Sequence, residues 1–147
     1  WGAVFVSFFS RNRGKTAELA KRFNGQIHVV PGNHDSDSSL RGMADAGWTI
    51  HTQLERVKLP GNLHRTTLCH YPLLTWAKAH YGAFMLHGHS HGSLGIEWTT
   101  RTDVGVDTHW NDPSRLGPVH WDLICASLNT RTYKPVDQHV RPLPEQF

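Results

Sequence analysis

Hydrophobic positions along this chain fall in short runs separated by polar turns, the rhythm of alternating helices and strands. GKTAELAKRFNG (14–25) sets Leu19 and Phe23 four residues apart, with Ala20 beside them and the cationic side chains outside. That spacing predicts a helix over 14–25, closed by Gly25. QIHVV (26–30) is apolar and β-branched and is cut off by Pro31-Gly32, which predicts a short buried strand. SSLRGMADAGW (38–48) predicts a short helix ending near Gly47. HTQLERVKL (51–59) and LHRTTLCHY (63–71) flank Pro60-Gly61-Asn62, and that turn signal predicts a hairpin.

Further on, LLTWAKAHYG (73–82) predicts a helix closed by Gly82, and AFML (83–86) a strand. TDVGVDT (102–108) predicts another strand. PVHWDLICASLN (118–129) predicts a late helix with Pro118 near its first turn. The remainder, 130–147, carries Pro135, Pro142 and Pro144 and reads as an irregular tail. Helix, strand and polar loop in succession predict α/β organisation, and 147 residues predict one domain, 1–147.

Chemistry concentrates at the carboxyl ends of three of these strands, where open α/β sheets place their sites. PGNHD follows the strand at 26–30, His70 ends the strand in LHRTTLCHY, and HGHSHG follows the strand at 83–86. In extended backbone, His87, His89 and His91 would share one face. Clustered imidazoles either bind a metal or move protons near neutral pH. Each signal is weak alone: Asn and Asp are common in turns, and a lone histidine at a strand end is more often a satisfied core or surface residue. Their order and placement together say more.

GNHD at 32–35, then the strand-end His70 before Tyr71-Pro72, then G-H-S-H at 88–91 resembles the calcineurin-like metallophosphoesterases, nearest to the small bacterial and phage members. The likeness runs from about Thr16 to Asp107, including DVGVD at 103–107. It implies an α/β fold, the metallophosphoesterase β-sandwich flanked by helices in an α/β/β/α order, with the N-terminal strand missing. It also implies a metal-dependent phosphoesterase that uses Mn²⁺ or Zn²⁺.

In that likeness Asn33, His70 and His89 bind one ion of a two-metal centre, and His91 binds the other. His34 protonates or hydrogen-bonds the leaving oxygen, and Asp35 orients His34. His87 has no role there, and is expected behind the ligands or facing solvent. Such a centre acidifies water and clamps phosphoryl oxygens, and imidazole and amide ligands suit Mn or Zn better than Ca.

The same family begins with a D-x-H motif and a G-D motif, and this chain has neither; residues 6–10 read V-S-F-F-S. The D-x-H motif would lie upstream of Trp1. The chain therefore offers three neutral ligands to one ion and only His91 to the other, which predicts at most one tightly held ion and little turnover. The arginine and aspartate that follow G-D in protein phosphatases are absent too, which favours a phosphodiesterase or general phosphoesterase.

Composition changes this picture only slightly. A net charge of +3 and a pI near 9.1 are compatible with a phosphate ester, a nucleotide or a nucleic acid as partner. Lost acidic ligands and six tryptophans keep a second reading open: a non-catalytic metal-binding or nucleic-acid-binding module on the same fold. Trp48, Trp76 and Trp121 sit in amphipathic segments and are expected in the core. No apolar run approaches the roughly 18–20 residues of a membrane helix. The opening WGAVFVSFF is short, lacks a basic lead and is not read as a signal peptide. Cys69 and Cys125 are expected as free buried thiols, which places the protein in the cytoplasm.

Overall fold

The computed structural model describes residues 3–5, 13–94, 99–108, 110 and 117–133. Among the described residues, seven strands form two sheets. In the first, β1 (Ala3–Phe5), β2 (Ile27–Val29) and β3 (Thr49–Ile50) run parallel in that order. Parallel neighbours need crossovers; α1 (Arg13–Ala20) joins β1 to β2, and α2 (Asp37–Asp45) joins β2 to β3.

The second sheet runs β4 (Leu54–Val57), β5 (Thr66–Cys69), β6 (Met85–His87), β7 (Arg101–Asp103). The β4–β5 pair is the expected antiparallel hairpin, with Leu54 opposite Cys69 and Val57 opposite Thr66. β5, β6 and β7 then run parallel, so their carboxyl ends share one edge. A third helix, α3 (Trp121–Asn129), packs on this sheet.

Two apolar clusters hold the layers. Ala20, Ile27, Val29, Met43 and Trp48 join α1 and α2 to the first sheet. Leu68, Phe84, Leu86, Ile124, Cys125 and Leu128 join α3 to the second, and Val30 brings the end of β2 into that same cluster. Both cysteines are free and buried. Trp48 lies in the first core, and Trp121 packs against the second.

Local chemistry explains the element ends. Ser36 caps α2, its Oγ accepting from Ser39 N at 3.2 Å, with Asp37 favourable in the first turn. α1 is shorter than expected. After Ala20 the hydrogen bonds tighten to a three-residue span, Arg22 to Leu19 and Phe23 to Ala20, and Gly25 turns the chain at φ 98°. Its buried face is Thr16 and Ala20, not Leu19 and Phe23; Phe23 lies beyond the helix, edge-on to Trp48 at 5.5 Å.

The helix expected over 73–82 does not form; only a 3-10 turn at Ala79–Tyr81 does. Tertiary bonds override the helical pattern. Arg101 Nη1 donates to Leu73 O at 2.6 Å, Trp76 Nε1 donates to Ala83 O at 2.9 Å, and Lys78 sits at φ 65°. A ten-residue segment gains little from helix formation by itself. The strand expected over 102–108 is likewise limited to Arg101–Asp103, because the carboxylates of its DVGVD segment shape a turn. In the late helix, His120 is the N-cap, its Nδ1 accepting from Asp122 N at 3.3 Å, so Pro118 stands ahead of the cap and outside the first turn. Of the tail, 134–147 lie outside the described residues.

Candidate functional site

Three chain segments deliver side chains to one edge. The loop after β2 carries Asn33, His34 and Asp35. Past β5 comes His70, and past β6 come His89 and His91. A backbone bond from Gly88 N to His70 O (3.1 Å) and another from Val104 N to His87 O (2.8 Å) tie the ends of β5, β6 and β7 together.

His70 Nε2 is the meeting point. It lies 2.6 Å from Asn33 Oδ1 and 3.1 Å from His89 Nδ1. The three belong to different segments, 37 and 19 residues apart. A single ring proton on Nε2 serves one of these acceptors well but not both. The same three atoms are the ones that could share a cation. Two imidazoles and an amide oxygen suit a borderline ion with a water in the remaining position. Among the described residues, no group of three or more His, Cys, Asp or Glu side chains is arranged to hold an ion; the third donor here is an amide.

Gly32 is required by this arrangement. A Cβ on it would fall 2.5 Å from His70 Nδ1 and 2.6 Å from Cγ, so the imidazole rests directly on the glycine backbone. Gly32 N–H donates to Asp35 Oδ2 at 2.8 Å, and Asp35 N–H to Gly32 O at 3.2 Å, which closes the GNHD loop on itself. Asn33 and His34 are exposed on it, and Asp35 is partly buried. With Ser36 they line a cavity of about 310 Å³. Tyr71 stands beside the imidazoles, 5.0 Å from the His70 ring and 4.8 Å from the His89 ring.

The HGHSHG segment does not present three histidines on one face. His87 ends β6 fully buried, its Nδ1 donating to Gly88 O at 2.9 Å, which rules out the solvent-facing alternative. His89 (φ 65°) and His91 (φ 47°) are exposed and lie in the left-handed region, so the strand alternation stops at His87. Ser90 N–H bonds Gly88 O across His89 at 2.7 Å, a three-residue turn of the rare positive-φ kind. Such backbone costs on the order of 1–3 kcal/mol at a non-glycine residue and persists only where its surroundings hold it.

Asp103, at the end of β7 and 4% exposed, lies against this turn. Its Oδ2 accepts from Ser90 Oγ at 2.5 Å and from Gly92 N at 3.1 Å, and its Oδ1 accepts from Gly105 N at 2.9 Å. Asp107 pairs with His91, Oδ2 to Nδ1 at 2.5 Å. That hydrogen bond raises the His91 pKa above its usual value and lowers that of Asp107. A Cβ on Gly105 would lie 3.0 Å from Asp107 Oδ1 and 3.1 Å from Asp103 Oδ1, so the glycine leaves room for both carboxylates. Sequence reasoning names Asp103, with Asp37, only as a substitute bridging carboxylate should two ions bind, and gives Asp107 no role. The signal it had was DVGVD itself, two carboxylates flanking a glycine.

No protein-family model, no curated protein and no solved structure matches this chain. A functional assignment therefore rests on the residues and their placement.

Proposed function

We propose that this chain is a metallophosphoesterase of the calcineurin-like type that binds a single Mn²⁺ or Zn²⁺ ion, and that its two sheets are the layers of that family's α/β/β/α sandwich. One observation carries the reading: Asn33 Oδ1 and His89 Nδ1 close on His70 Nε2 from separate segments, at the edge where the GNHD loop lines its cavity. Those three residues would hold the ion. When bound, it would polarise a phosphate ester and acidify water at the same place.

The chain's own residues do the rest. The Gly32–Asp35 bonds fix the loop that displays Asn33 and His34. His34, exposed at the cavity, would donate a ring proton to the departing oxygen as a general acid. Asp35 would hold the His34 ring in register. His91, paired with Asp107, would lie beside the second ion position that the likeness implies; residues 6–10, V-S-F-F-S, offer no bridging carboxylate to it.

The substrate in this reading is a phosphate ester, either a phosphodiester or a phosphomonoester, with a nucleotide or nucleic acid within that class. The buried free thiols fit a reducing, cytoplasmic setting. No described helix is long and apolar enough to cross a membrane.

The second reading, a module that binds metal or nucleic acid without turnover, is favoured by the missing acidic motifs. Hydrolysis of bis-p-nitrophenyl phosphate with added Mn²⁺ separates the two. Slow turnover that His34→Ala abolishes supports the enzyme. Metal binding with no turnover at any Mn²⁺ or Zn²⁺ concentration supports the module. Absence of metal binding overturns both metal readings.

A further inference from the structure

We propose that Asp103 is the positioning residue of the His89–His91 turn: its buried carboxylate holds the strained backbone that aims His89 at His70 and His91 at Asp107. Three donors converge on one carboxylate from two segments, Ser90 Oγ–H and Gly92 N–H from the histidine turn and Gly105 N–H from the turn after β7. Ser90 lies between the two left-handed histidines and Gly92 follows them, so the two bonds to Oδ2 flank His91 and anchor the turn at its middle and its end. Trp110 Nε1 donates to Asp103 O at 2.9 Å and fixes the backbone from which the carboxylate reaches.

Three of the roughly four acceptor positions of the Asp103 carboxylate are already bonded to the turns around it. It acts from behind the imidazoles. If His89 is a ligand, which rests on the function proposed above, Asp103 also sets a negative charge close behind a neutral ligand set. The brace itself does not depend on that function.

Asp103→Asn separates the possibilities. An amide offers one accepting oxygen and one donating nitrogen to three donors. The Ser90 hydroxyl can rotate to accept, but then Gly92 N–H or Gly105 N–H loses its acceptor. Three quantities are measured on the folded variant: thermal midpoint, ring ¹⁵N signals of His89 and His91, and Zn²⁺ affinity by titration calorimetry. The expected result is displaced His89 and His91 ring signals and roughly 10–100-fold weaker Zn²⁺ binding, the range seen when a partner behind a ligand is lost.

Ser90→Ala, which leaves both backbone donors in place, should give a smaller change in the same signals and keeps the test alive if Asp103→Asn does not fold. A fall in thermal midpoint with ring signals and Zn²⁺ affinity within twofold of the parent would overturn the proposal and leave Asp103 a structural residue only. Displaced ring signals in a chain that binds no Zn²⁺ at all would sustain the brace and sink the metal reading instead.

Discussion

Asp107 Oδ2 accepts a hydrogen bond from His91 Nδ1 at 2.5 Å, joining residues 16 apart at the open edge of the second sheet. Both side chains are substantially exposed, so the pair is a local electrostatic device and contributes modestly to stability. The shared proton raises the His91 pKa above its usual 6.5 and holds Asp107 below its usual 3.8.

The signs follow from linkage. The His91 contribution is complete below pH 6.5 and is lost as pH rises through the raised pKa. The Asp107 contribution is complete above 3.8 and is lost as pH falls through the lowered one. Asp107→Asn should return the His91 titration toward 6.5, read from its ring Cε1–H signal. The small stability gap between parent and variant should be widest between those two limits and close above the raised value. An unchanged His91 titration in the variant would remove the pair as the cause.

Gly32→Ala should disorganise the candidate site from its centre. The added methyl would meet the His70 ring at 2.5–2.8 Å, and the ring cannot yield without leaving Asn33 and His89. Overpacking of this kind costs about 1–3 kcal/mol. Chemical denaturation should show that loss, and metal titration a disproportionate fall in affinity. A variant that keeps parental affinity would mean that His70 can bind from another rotamer.

The two apolar clusters should respond separately to truncation. Met43→Ala in the first and Leu128→Ala in the second each remove a fully buried side chain. Each should cost about 2–5 kcal/mol in urea unfolding. Backbone amide exchange should quicken mainly in α1, α2 and β2 for the first variant, and in α3, β5 and β6 for the second. Equal acceleration across both sheets in either variant would show one cooperative core in place of two coupled ones.

What the sequence shows of this molecule depends on where each residue's partner lies. Ile27–Val29 reads as a strand because its β-branched run and the Pro31-Gly32 stop are local. The α2 helix reads equally well through its Ser36 cap. The segment 73–82 misleads because its conformation is set by Arg101 and Ala83, which no periodicity reveals. At the site, Asn33, His70 and His89 were legible as a motif series, and the fold does bring them together. The aspartates at 103 and 107 were not, since their work depends on left-handed backbone at His89 and His91, and a period-two reading of HGHSHG assumes extended chain there.

Metal stoichiometry is the sharpest remaining test. Asn33, His70 and His89 offer one amide oxygen and two imidazole nitrogens, and the buried carboxylate of Asp103 is bonded to the histidine turn. Two dications at such a centre would repel each other with no bridging charge between them. One Mn²⁺ or Zn²⁺ per chain is therefore the expected count by mass spectrometry under native conditions. His70→Ala should abolish binding, since His70 Nε2 is the atom common to both contacts. His34→Ala should leave binding intact while removing turnover, a loss on the order of 10²–10⁴-fold for a general acid. Affinity should also fall as pH is lowered, because protons compete with the ion for imidazole lone pairs. Two tightly bound equivalents would show that a carboxylate reaches the centre, and a double variant at His91 and Asp107 would then identify whether that pair supplies it.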